Sequence, residues 1–106
     1  MPVRFLITTL KPGVDPEKYE KWVREYDYKI ARSRENMIRY EVYRIRPPVE
    51  GVAGAGWTYL ERIEVKSIEQ ADIDAKSESG VELRRQLFGE YVEQSKNVTF
   101  VADEIV

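Results

Sequence analysis

A chain of 106 residues with 17 Lys and Arg against 19 Asp and Glu, formal charge −2, has the size of one domain and no basic excess to grip a nucleic acid. It contains no His and no Cys, which excludes disulfides, thiolate nucleophiles, Ser-His-Asp triads, His- or Cys-bound zinc and a His-ligated haem. Chemistry is left to Tyr, Trp, Asp, Glu, Arg and Lys.

In chain order, Val3 to Leu10 reads as a strand that is mainly apolar on both faces. Lys11-Pro12-Gly13 is a turn, and Asp15 caps a helix with Pro16 at its first position. Tyr19, Trp22, Val23, Tyr26 and Ile30 recur at helical spacing, and the helix is expected to end near Arg34. Ile38 to Ile45 is a second strand, stopped by Pro47 and Pro48. Residues 49–56 form a glycine-rich loop whose spacing fits neither a dinucleotide fingerprint nor a P-loop. Trp57 to Val65 is the third strand. Ser67 with Gln70 spells a capping box that opens a second helix. That helix is interrupted near Glu78-Ser79-Gly80, where Ser79 and Glu82 spell another box, and Leu83, Leu87 and Tyr91 carry the apolar stripe onward. Val98 to Ile105 is the last strand.

Strand–helix–strand, twice over, predicts one α+β domain across residues 1–106: a ferredoxin-like βαββαβ fold with both helices on one face of a four-stranded antiparallel sheet. The strands alternate too weakly for the other face to meet water, so a homodimer joined through that face is expected. No apolar run is long enough to span a membrane, and Met1-Pro2-Val3-Arg4 lacks the layout of a signal peptide. A cytoplasmic protein is expected, in which the acceptor triplet Asn97-Val98-Thr99 has no use.

Leu10-Lys11-Pro12-Gly13-Val14-Asp15-Pro16, Tyr19, Trp22, Arg24-Glu25-Tyr26-Asp27-Tyr28, Ala31-Arg32-Ser33 and Tyr40-Glu41-Val42-Tyr43-Arg44 together resemble the RedY-like family of small bacterial proteins. Some of its members are encoded in pathways for prodiginine-type tripyrrole pigments. The resemblance implies the dimeric α/β-barrel superfamily, which also holds cofactor-free monooxygenases, muconolactone isomerases and haem-dependent dye peroxidases. Activity does not transfer across so diverse a set.

The candidate site residues stand out by context. Asp27 lies at the edge of the helical stripe, where desolvation would raise its pKa and suit it to act as a base. Glu61 shares a strand face with Trp57, Tyr59 and Ile63. Arg44 shares one with Tyr40 and Val42, and either charge on such a face needs a partner. Tyr28, four residues from Arg24, is placed opposite the stripe. Tyr40, Tyr43, Trp57 and Tyr59 suit a flat aromatic or heteroaromatic ligand. The expected activity is a cofactor-independent tailoring step of bacterial secondary metabolism: a cyclisation, condensation or isomerisation by proton transfer, or a cofactor-free oxygenation. Asp27 or Glu61 would be the base and Arg44 would hold an anionic oxygen, with Tyr28, Tyr40 and Tyr59 shaping the cavity. No cofactor or metal is expected. The alternative is a non-catalytic dimeric carrier of a small ligand.

Overall fold

The computed structural model describes residues 2–47 and 58–106. Trp57 and the glycine-rich loop 49–56 lie outside the described residues. Strand β1 (Val3–Thr8) runs to a turn in which Val14 N–H donates to Lys11 O and Gly13 takes a φ of 82°. Only glycine adopts that angle without strain, and Pro12 before it sets the other half of the turn. Asp15 then accepts from Glu17 N–H at 3.0 Å and opens α1 (Pro16–Trp22).

The first helix is not uniform. After α1 comes a π-helical turn, Val23–Asp27, closed by Tyr28 N–H donating to Val23 O, and then α2 (Tyr28–Arg32). A residue inserted into the 3.6-residue repeat rotates all that follows by about 100°. Side chains placed after it from an unbroken repeat therefore land on the wrong face. The second half repeats the device. Strands β2 (Met37–Arg44) and β3 (Tyr59–Val65) lead to α3 (Ile68–Ala75) and α4 (Glu78–Gln86), and α4 ends in a π turn at Leu87–Tyr91. Strand β4 (Val98–Ala102) closes the chain.

Several sequence-based boundaries move. β1 stops at Thr8 because Leu10 N–H turns to Thr58 Oγ1, leaving Leu10 a lone bridge to Val92. β4 stops at Ala102, which lies opposite Val3, where β1 begins. Ser67 caps α3 by accepting from Gln70 N–H, but Gln70's side chain reaches forward to Asp74, so the box is half formed. α4 is capped by Ser77, accepting from Gly80 N–H, and not by Ser79.

The strands order as β2-β3-β1-β4, every pair antiparallel. Register places Thr8 opposite Tyr59 and Leu6 opposite Glu61, so Thr8, Tyr59 and Glu61 share the helix-covered face with Tyr40, which pairs with Ile63. The core there is aromatic. Tyr19 meets Tyr59 edge-on at 4.7 Å between ring centroids, and Trp22 lies 5.0 Å from Tyr91, joining both helices to the sheet.

The opposite face is mixed rather than uniformly apolar. Phe5 stacks on Phe100 at 5.5 Å, with Val3, Ile7, Leu60 and Val98 around them. Toward β2 this face turns polar, with Arg39 on Glu41 at 2.7 Å and Arg62 on Glu64 at 2.9 Å. Among the described residues no helix is long and apolar enough to cross a membrane.

Candidate functional site

Asp27, Tyr40 and Glu61 meet beneath the helices. Asp27 closes the first π turn, Tyr40 sits mid-β2 and Glu61 mid-β3, and all three are buried. Register explains the meeting: Val42 opposes Glu61, so Tyr40 is its diagonal neighbour on the same face. The Tyr40 hydroxyl lies 2.6 Å from Asp27 Oδ2 and 2.5 Å from Glu61 Oε1. One phenol has one proton to give. For both contacts to be hydrogen bonds, one carboxyl must donate back to the phenol oxygen, so the pair holds a proton at rest.

Burial raises both carboxyls above the ordinary range. Glu61 is raised further, first by burial and then by the charge of Asp27. For Asp27, burial is opposed by the Tyr40 hydrogen bond and by the positive charges of Arg32 and Arg34. Glu61 is therefore the proton holder and Asp27 the charged member. Tyr40 itself is raised well above a normal phenol, by burial first and then by the two carboxyls, and stays protonated.

The backbone at Tyr40 is fixed from outside. Arg32 donates from Nε and Nη2 to Tyr40 O at 3.1 and 2.8 Å. Its guanidinium lies 3.6 Å over the Tyr28 ring, and that ring meets Tyr40 edge-on. Val42 N–H, on the outer edge of the sheet, donates to Tyr28 Oη at 3.0 Å. Tyr28 thus faces β2, not solvent as an unbroken helical repeat places it. The π turn supplies the missing rotation.

Asp27, Tyr40 and Glu61 line a cavity of about 150 Å³, walled by Ile63 and Val65 from the sheet, Ala71 and Ala75 from α3, and Leu83 from α4. Arg4, Arg34 and Asp74 also line it, and Arg4 is engaged by Asp72 at 3.1 Å.

Arg44 does not join this group. Glu20, a residue that sequence reasoning missed, takes its guanidinium from Nε at 2.8 Å and again from Nη2, and also accepts from Tyr59 Oη at 2.6 Å. The fork-to-fork geometry occupies both carboxylate oxygens and holds Glu20 below its usual range, with Arg44 the leading cause. Arg44 is therefore neither Glu61's partner nor a cation awaiting an anionic oxygen. With Tyr28, Tyr59 and Val42 it borders a separate hollow of about 260 Å³. An acid on an exposed helix turn carries no signal in the sequence, which is why Glu20 was not legible.

Tyr19 is the other omission. It is fully buried, and its hydroxyl has no partner among the described residues. Burial first, and then the charges of Glu61 and Asp27, push its proton's release far above the normal range. Among the described residues no group of three or more acidic side chains gathers to hold a metal ion.

No curated protein matches the chain by sequence. The family described as REDY-like protein HapK matches residues 2–106. Among solved structures, HapK from Hahella chejuensis superposes with a TM-score of 0.77 at 20% identity, covering 99% of this chain and 93% of that one. A hydroxynitrile lyase from Passiflora edulis gives 0.75 at 11% identity, covering 99% and 95%. A dimeric ferredoxin-like protein of unknown function from Bacteroides fragilis gives 0.66 at 14%, covering 97% and 95%. At these identities the structural likeness speaks for the ferredoxin-like fold, while the family match spans nearly the whole sequence. The chain belongs to the RedY-like family represented by HapK.

Proposed function

We propose that the protein is a cofactor-independent enzyme that moves protons on a small aromatic or heteroaromatic substrate, with Asp27 as base, Glu61 as acid and Tyr40 as the relay between them. The observation that supports this most directly is one phenol hydroxyl held within 2.6 Å of two buried carboxyls on the wall of a cavity. The ionised Asp27 takes a proton from the substrate, and Glu61 returns one to a different atom. Tyr40 then donates to Glu61 as it accepts from Asp27, which restores the starting arrangement. No net oxidation occurs, and the sequence suits an isomerisation, a cyclisation or the proton steps of a condensation or lyase reaction. A positioned acid or base of this kind contributes roughly 10²–10⁴ in rate.

Cavity size narrows the substrate. About 150 Å³ is the scale of an apolar cavity that accommodates one benzene-sized ring, so the reacting portion of the substrate is a single ring. The fold is shared with a hydroxynitrile lyase, which makes proton-transfer chemistry a reasonable tenant of this scaffold. The family resemblance supports a place in bacterial secondary metabolism, in the cytoplasm. The Bacteroides relative's dimeric state, together with the uncovered Phe5–Phe100 face, supports a homodimer.

The test is turnover of an aromatic hydroxynitrile, and of a pyrrole aldehyde with a monopyrrole, by wild type, Asp27→Asn, Glu61→Gln and Tyr40→Phe. Each substitution is expected to lower kcat by about 10²–10⁴ with an unchanged circular dichroism spectrum. Wild-type rates in both carboxyl variants would remove the base and acid. Retained ligand binding beside that result would favour the carrier.

A further inference from the structure

The proton relay uses only one oxygen of Glu61. The other, Oε2, is buried and has no hydrogen-bond partner among the described residues, on a side chain only 4% exposed that lines the cavity. Buried acceptors are nearly always paired, because an unpaired one forfeits the bonds it made to water. At rest the Glu61 proton lies on Oε1 toward Tyr40 Oη, so Oε2 is an acceptor. Its missing partner is therefore a donor.

Tyr19 Oη, itself without a partner among the described residues, feels the charge of Glu61 but makes no hydrogen bond to it and does not line the cavity, and the cavity's other polar groups do not supply the donor either. Arg4 is held by Asp72. Asn36 is committed at both ends, its Nδ2 donating to Ser67 O and its Oδ1 accepting from Ser67 N–H, each at 2.9 Å. Arg34 reaches Ser79 Oγ at 3.4 Å. The remaining wall near Glu61 is hydrocarbon from Ile63, Val65 and Leu83.

Resting on the proton-transfer reading of this cavity, we propose that its ligand is an uncharged single ring bearing one hydrogen-bond donor, O–H or N–H, which donates to Glu61 Oε2 while the ring lies against Ile63, Val65 and Leu83. The ring's size follows from the volume, and its donor from the unpaired oxygen. Its neutrality follows from the two carboxyls. An anionic ring would bring a further negative charge beside Asp27, and the one cavity-lining cation without an acidic partner among the described residues, Arg34, already offsets the charge of Asp27.

Calorimetric titration of the wild-type protein with phenol, toluene and benzoate tests this. Toluene replaces the hydroxyl with a methyl of similar size, and benzoate adds the charge. Phenol is expected to bind about tenfold or more tighter than toluene, with no benzoate binding at the same concentrations. In Glu61→Met, which keeps the bulk and removes the acceptor, phenol and toluene are expected to bind within about twofold of each other. Equal affinities in the wild type, benzoate binding as tightly as phenol, or binding of none of the three overturns the assignment. So does a phenol preference that survives Glu61→Met. Should that variant not fold, the wild-type ratio decides alone. The two readings fail separately: loss of turnover in Asp27→Asn without a phenol preference removes only the ligand, and a phenol preference with unimpaired turnover in Asp27→Asn removes only the base.

Discussion

Tyr40 joins two carboxyls that water would otherwise keep apart and ionised. Because Asp27 and Glu61 both titrate above the ordinary carboxylate range, the folded protein retains protons that the unfolded chain has already released. The stability this confers is complete below about pH 4, where both states are protonated, and is lost as pH rises through the raised folded values. Melting temperature should therefore fall between about pH 4 and about pH 8 more steeply in the wild type than in Glu61→Gln, which has nothing to ionise at that position. Parallel melting curves across that range would show that Glu61 is not protonated in the folded state. Both carboxyls were legible in the sequence because each is an anomaly: an acid at the edge of an apolar helical stripe, and an acid in an otherwise apolar strand face. Arg44 was legible as a residue and not as a partner, because its true mate, Glu20, sits on a helix turn where acids are ordinary.

The elements were readable as far as a regular repeat carries. Helical spacing found the stripe of Tyr19, Trp22, Val23 and Tyr26, and turn chemistry found Gly13 and the Asp15 cap. The π turn at Val23–Asp27 has no such signature, since it arises where the helix is packed against the sheet. It nonetheless decides where Tyr28 points. The break between α3 and α4 teaches a related lesson. Gly80 lies inside α4, where replacement by Ala ordinarily stabilises a helix by about 1 kcal/mol. Here a Cβ would come within 2.3 Å of Asp74 O and 2.7 Å of Ala75 O, backbone atoms that cannot step aside. Gly80→Ala is expected to destabilise the fold by about 1–3 kcal/mol, and Ser77→Ala by about 1 kcal/mol through loss of the cap. Ser79→Ala should cost little by comparison. Urea denaturation of the three variants checks the order, and a Gly80→Ala protein as stable as the wild type would contradict the close approach.

For the molecule as a whole, strand count, order of elements and helix placement followed from alternation and caps, and the ferredoxin-like sheet bears them out. The character of the uncovered face did not. Its apolar half lies on β1, β4 and Leu60 of β3 and its ionic half on β2 with Arg62 and Glu64 of β3, a division set by pairing register, which no strand shows on its own. If that face seats a second copy, Phe100, which is 44% exposed, is among the side chains that the dimer removes from water. Sedimentation of the wild type as two chains and of Phe100→Glu as one is the expected result. A wild type that sediments as a single chain at micromolar concentration would refute the pairing. The chamber's other boundary has a different character. α3 contributes Ala71, Asp74 and Ala75 to the wall, yet none of its residues is buried, and the Arg4–Asp72 pair ties it to the sheet. Its last turn is nonetheless anchored, since Asp74 O and Ala75 O sit against Gly80 with no room for a side chain between them. Any bulk added at that seam is therefore transmitted to the chamber wall, which the same two residues help to form.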